Sequence, residues 1–146
     1  PLPFLECWMT ESCAVNKDIS QPPDLADIER LARNAFNTIP EILKSKVTDV
    51  VIRIDDFPDE ATCRGMGLQS PFELLGLYRG VPLNEKSVAD APQALDTIFL
   101  YRRPLLDYWC ETSEDLTQLV RHVLIHEIGH HFGFSDDDME RLEAEK

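Results

Sequence analysis

The segment from Leu116 to Phe132 constrains this chain more than any other. Leu116, Leu119, Val120, Val123, Leu124, Ile125, Ile128 and Phe132 recur at helical spacing and cover most of the circumference of one helix. A helix that is apolar nearly all round belongs in the interior. Yet its body also carries His126, Glu127 and His130, and polar groups taken out of water cost free energy unless they are partnered. The fold must therefore supply those partners. Upstream, Thr112 to Asp115 offer a hydroxyl cap with a carboxylate three residues on, at the positive end of the helix dipole. Gly133 follows as a left-handed stop.

His126-Glu127-Ile128-Gly129-His130 is an H-E-x-x-H sequence. Residues four apart lie on one helical face a turn from each other, so both imidazoles can reach one metal ion. Zinc accepts histidine nitrogen, and Glu127 beside the first ligand can hold a water without ligating, as a general base. A tetrahedral ion that keeps a water needs one more protein ligand. The spacing His126, His130, Gly133, Asp136 resembles the metzincin pattern with aspartate in place of its last histidine, which makes Asp136 the expected third ligand. Asp137 and Asp138 are weaker choices, and Glu140 or Glu143 on a following helix is the alternative. Metzincins place a methionine turn beyond the third ligand, whereas this chain offers only Met139 inside a helical stretch. His131 points about 100° away from His130 and is not expected to ligate. His122, one turn before His126, reads more readily as a bystander than as a cleft residue.

The chain has 146 residues, the length of one domain, with residues 1–20 as an N-terminal extension. Hydrophobic residues at 43% and charged residues at 28% are ordinary globular usage. Fourteen basic against 27 acidic side chains leave a net charge of −13, which repels phosphate backbones and anionic membranes and so excludes them as expected partners. No apolar run approaches the length of a membrane span, and residues 1–20 show no basic segment leading into an apolar one, so they do not read as a secretory signal. Cys7, Cys13, Cys63 and Cys110 are too sparse for a disulfide framework and read as free thiols in a reducing cytoplasm.

Periodicity places a helix after Asp24 that stops at Pro40, and a first strand from Val47 to Ile54. Residues 59–70 read as a turn, Leu74 to Tyr78 and Asp96 to Tyr101 as two short strands, and Gly80 to Gln93 as a long polar connection. Pro104 is placed as the first residue of a short helix. Tyr78 and Tyr101 read first as packing residues, with oxyanion contact as the rarer role. Arg102 and Arg103 read as charge at the end of the sheet.

The stretches Glu73 to Pro82, Thr97 to Leu105 and Val123 to Asp136 together resemble the zincin-like metallopeptidase family of very small bacterial proteins, over most of the chain from Leu25 to Leu142. The resemblance implies an α+β fold: a small single domain with a short mixed sheet of about three strands, a central metal-binding helix and covering helices. It implies one zinc ion on His126, His130 and Asp136, Glu127 as the catalytic acid and base, and a peptide or protein substrate. Similarity to zincins further implies that substrate adds as a strand along Leu74 to Arg79, with Ile98 to Tyr101 the weaker edge. Two other readings compete. A metal-binding protein without turnover, latent or adaptor, follows if the cleft of so small a domain is too shallow. The His-x-x-x-His spacing with a third ligand six residues on is also similar to a small bacterial ribonuclease family, which the negative charge and the glutamate after His126 oppose.

Overall fold

A computed structural model describes residues 21–85 and 95–144, apart from the side chains of 142–144. Its first helix, α1 (Leu25–Asn37), begins where Asp24 and Asp27 exchange hydrogen bonds in a capping box. Ile28, Ala32 and Ala35 form its buried stripe, and Thr38 caps its last carbonyls ahead of Pro40. A single turn, α2 (Glu41–Lys44), follows and tightens into a 3-10 turn at Ser45–Val47. The strand β1 therefore starts at Val51 and runs to Asp55, four residues later than the β-branched pattern suggests. Ser45 and Thr48 explain the delay: their hydroxyls donate back to the carbonyls of Ile42 and Ser45, which holds the backbone in turns.

A second departure lies in residues 59–70, where the expected turn contains a helix, α3 (Glu60–Gly65). Asp59 nucleates it by accepting the Thr62 N–H at 2.7 Å, a cap that the nearby glycines obscure in the sequence. Two more strands, β2 (Gly76–Arg79) and β3 (Thr97–Tyr101), complete a mixed sheet of order β1-β3-β2. The central β3 runs parallel to β1, pairing Ile98 with Ile52, and antiparallel to β2, pairing Ile98 with Tyr78. Because β3 has a neighbour on both sides, the segment Ile98 to Tyr101 is not an edge, which corrects the weaker expectation for substrate binding. Of the connection from Gly80, residues Leu83–Glu85 form a 3-10 turn, and 86–94 lie outside the described residues.

β3 passes without a loop into α4 (Arg102–Thr112), so Pro104 occupies the third helical position and not the first. Its missing N–H has no intrahelical acceptor there in any case. Ser113 ends α4 in a left-handed conformation, φ 57°. The long helix α5 (Leu116–His131) is capped by Asp115, which accepts the Gln118 N–H at 3.0 Å. Thr112 is thus not the cap of α5; its hydroxyl donates to the Tyr108 carbonyl within α4. A final helix, α6 (Asp136–Ala144), returns across the end of α5.

Ile98 and Leu100 of β3, Leu124 and Val120 of α5, and Ile28 of α1 meet in one fully buried cluster, closed by Leu105 of α4. The architecture is α+β, with a three-stranded mixed sheet and α5 buried against it. Among the described residues no helix is long and apolar enough to cross a membrane. Cys63 and Cys110 are free thiols; Cys7 and Cys13, like the N-terminal extension, lie outside the described residues.

Candidate metal centre

The C-terminal half of α5 carries the site. His126 and His130 project from successive turns with ring centroids 4.8 Å apart and their Nε2 atoms 3.2 Å from each other. The helix must then stop quickly to bring a third group back, and it does so in a Schellman turn. Gly133, at φ 95°, lets its N–H reach the His130 carbonyl at 2.9 Å and the Phe134 N–H reach Gly129 at 3.0 Å. Ser135 and Asp138 next exchange the hydrogen bonds of a capping box and start α6. Met139 of α6 fills the space that a side chain at Gly129 would need, its sulfur 2.4 Å from an ideal Cβ there. These contacts fix the first residue of α6, Asp136, over the two imidazoles.

Asp136 Oδ1 lies 3.2 Å from His126 Nε2 and 3.1 Å from His130 Nε2. Two nitrogens and one oxygen therefore form a nearly equilateral triangle. Ligands about 2.0–2.1 Å from a tetrahedral zinc are separated by roughly 3.3 Å, so the triangle has the size such an ion requires. The protonation pattern agrees. The Phe134 carbonyl, which can only accept, sits 2.8 Å from His130 Nδ1, so that nitrogen donates and, in the neutral imidazole that binds a metal, the Nε2 lone pair faces the triangle. Unprotonated nitrogen beside carboxylate oxygen at this range favours a shared cation. The donor set therefore fits zinc.

Glu127 stands beside the triangle, grouped with His126 and His130 within 4.8 Å. It is buried, 7% exposed, and burial pushes its carboxyl above the ordinary range, against the pull of His130 and His126 and of the Tyr78 backbone N–H that it accepts. Its stem runs beside Gly76, where an added Cβ would come within 2.7 Å of Val123 Cγ1, 3.1 Å of the Phe99 carbonyl and 3.3 Å of Glu127 Cγ. Gly76→Ala is accordingly expected to destabilise the fold by about 1–3 kcal/mol through overpacking. A thermal melt beside wild type checks this; an unchanged Tm would mean the strand yields without cost.

Above Glu127 runs the open edge of β2. Tyr101 N–H bonds the Leu75 carbonyl at 3.0 Å, so in antiparallel alternation the N–H and C=O groups of Gly76 and Tyr78 point away from β3. The Leu74 to Arg79 segment is an edge beside the triangle, as expected. A cleft of about 500 Å³ lies there, lined by Gly76, Leu77 and Tyr78 on one side and His126, His130 and Asp136 on the other. That volume is within the range of ligand clefts. A cavity of about 530 Å³ between α1, α2 and β1 has no histidine or cysteine in its lining.

Several readings are sharpened by position. Asp138 is engaged by Ser135 and Arg141, which hold its carboxyl below the usual range, and Asp137 and Glu140 are exposed. The Glu143 side chain lies outside the described residues. His122 is exposed and outside the cleft lining. Arg102 binds the Pro23 carbonyl and Asp56, and Arg103 stacks over Phe57, both at the sheet end. Tyr101 is buried, stacked with Phe99, and its phenol is pushed up to about 12 by burial. The sequence reasoning missed one group altogether. His131, 2% exposed, meets the Tyr78 hydroxyl at 2.9 Å, with buried Asp96 3.6 Å away. The available signal was a further histidine on a buried helix, off the face shared by His126 and His130.

A helix offering two imidazoles and a neighbouring glutamate, with a carboxylate returning after a glycine turn and an open strand edge above, defines the zincin class of site. The family model of zincin-like metallopeptidases matches residues 47–146, and the chain belongs to that family. No curated protein is matched by the chain.

Proposed function

We propose that this protein is a zinc-dependent peptidase in which His126, His130 and Asp136 hold the ion and Glu127 moves the proton. The observation that carries the reading is the donor triangle, with its edges of 3.1–3.2 Å, set beside a buried carboxylate and beneath a strand edge that no other strand covers. When bound, zinc supplies Lewis acidity toward a water and toward the substrate carbonyl.

The chain's own residues do the rest. An extended peptide adds antiparallel or parallel to β2 through the outward N–H and C=O of Gly76 and the C=O of Tyr78, the Tyr78 N–H being turned to Glu127, which aligns the scissile carbonyl with the triangle. Glu127, raised in pKa by burial, accepts the proton of the attacking water at its carboxylate. The same carboxylic acid then donates that proton to the departing amine. Exposed Met66 and Phe134 give the cleft an apolar lip, while its acidic members and the overall charge favour neutral or basic peptides. Sparse free thiols suit the reducing cytoplasm as its setting.

The test is a mass-spectrometric search for new peptide termini after zinc-loaded protein meets a diverse peptide mixture, beside Glu127→Ala. Termini in the wild-type sample alone support the peptidase. Identical samples, with one metal in each protein, would favour a binding protein without turnover.

A further inference from the structure

Tyr78, His131 and Asp96 form a buried polar cluster that the proposed chemistry does not use. The Tyr78 hydroxyl has two acceptors for its single proton, the Val81 carbonyl at 3.1 Å and the Asp96 carboxylate. The 2.9 Å contact with His131 Nδ1 then requires that nitrogen to donate to the phenolic oxygen. Asp96 Oδ2 lies 3.6 Å from the same nitrogen, and its Oδ1 accepts the Val81 N–H at 3.1 Å. A cluster of this kind, with an aspartate 7% exposed and a histidine 2% exposed, is costly to bury unless its geometry is held. Gly80 makes the approach possible: an ideal Cβ there would lie 2.2 Å from Asp96 Oδ1.

The position of Tyr78 gives the cluster its significance. Its backbone N–H faces the Glu127 carboxylate, while its side chain reaches His131, the neighbour of His130. One residue thus joins the substrate edge to the metal helix at both ends. We infer that Tyr78, His131 and Asp96 are positioning residues, a clamp that fixes the β2 edge and the Val81 wall at a set distance from the triangle and from Glu127. Its consequence for peptide affinity rests on the peptidase reading; its consequence for the strand does not.

The experiment uses the zinc-loaded full chain. Hydrogen exchange at the amides of Leu77 and Arg79, which face β3, zinc affinity by chelator competition, and KM and kcat on the best-cleaved peptide of the mixture are measured for Tyr78→Phe, His131→Leu and His131→Asn. Tyr78→Phe and His131→Leu should speed exchange along β2 by roughly tenfold, the weight of one hydrogen bond. His131→Asn keeps an amide donor near the place of Nδ1 and should restore most of the protection. Zinc affinity should stay within about twofold, since no side chain of the triangle is touched, and KM should rise by more than kcat falls. Tyr78→Phe removes one oxygen only and remains informative if His131→Leu fails to fold. Wild-type exchange in Tyr78→Phe, or equal behaviour of the two His131 variants, overturns the clamp. Absence of cleavage by the wild type overturns the peptidase reading alone, and the exchange arm then decides the clamp by itself.

Discussion

Glu127→Gln is expected to lower peptide turnover by roughly 10²–10⁴-fold while leaving zinc content unchanged, the range that loss of a general acid–base group produces. The reason is positional. Glu127 borders the triangle without forming one of its corners, and burial raises its carboxyl above the ordinary range. Glutamine keeps the size and the acceptor for the Tyr78 N–H but cannot carry the proton. Metal analysis of the purified variant beside a peptide assay checks the separation; turnover within a few fold of wild type would remove Glu127 from the chemistry.

The same raised pKa has a sign for stability. In metal-free protein the folded state binds the Glu127 proton more tightly than the unfolded chain, whose value is near 4.5. This contribution to stability is therefore present below the unfolded value and lost as pH rises through the folded one. Glu127→Gln has no such loss, so its Tm relative to wild type should increase as pH rises from the unfolded value through the higher folded one. A constant difference would show that burial does not penalise the ionised group.

His130→Ala is expected to have the larger effect on the metal. It removes one corner of the triangle together with the nitrogen whose tautomer is fixed by the Phe134 carbonyl. Zinc affinity should fall by more than about a hundredfold, beyond what losing an outer hydrogen-bond partner costs. At zinc concentrations a hundred times the wild-type Kd, binding stabilises the fold by about 2.7 kcal/mol. For a domain of this size that is on the order of 10 °C in Tm. Wild type should lose this increment on chelation, and His130→Ala should lack it from the start. A variant that still gains the full shift with zinc would show that the ion binds elsewhere.

Legibility in the sequence followed the distance between partners. His126, Glu127 and His130 lie within one helical turn, and Gly133 and Asp136 within ten residues of the first histidine, so helix geometry and turn chemistry sufficed to bring them together on paper. β1 was legible as a strand because β-branched residues alternate there, whereas β2 and β3 were marked by short runs of apolar and aromatic residues. Local competition defeated other readings. Asp59 starts a helix among glycines, and Asp115, rather than Thr112, caps α5 because Ser113 is used to end α4. The clamp was illegible for a different reason: Tyr78 and His131 are 53 positions apart, and neither carries a local signature of the other. Gly76 likewise acquires its meaning only from Val123 and Glu127 packed against it.

In the proposed site two imidazoles and one carboxylate hold the ion and leave a further position open. X-ray absorption at the zinc edge of stoichiometrically loaded protein tests this most directly. Two imidazole nitrogens and oxygen donors at about 2.0–2.1 Å are expected, with one imidazole signal lost in His130→Ala and one oxygen lost or replaced in Asp136→Ala. Sulfur scattering at about 2.3 Å, or a spectrum unchanged by either substitution, would contradict this ligand set.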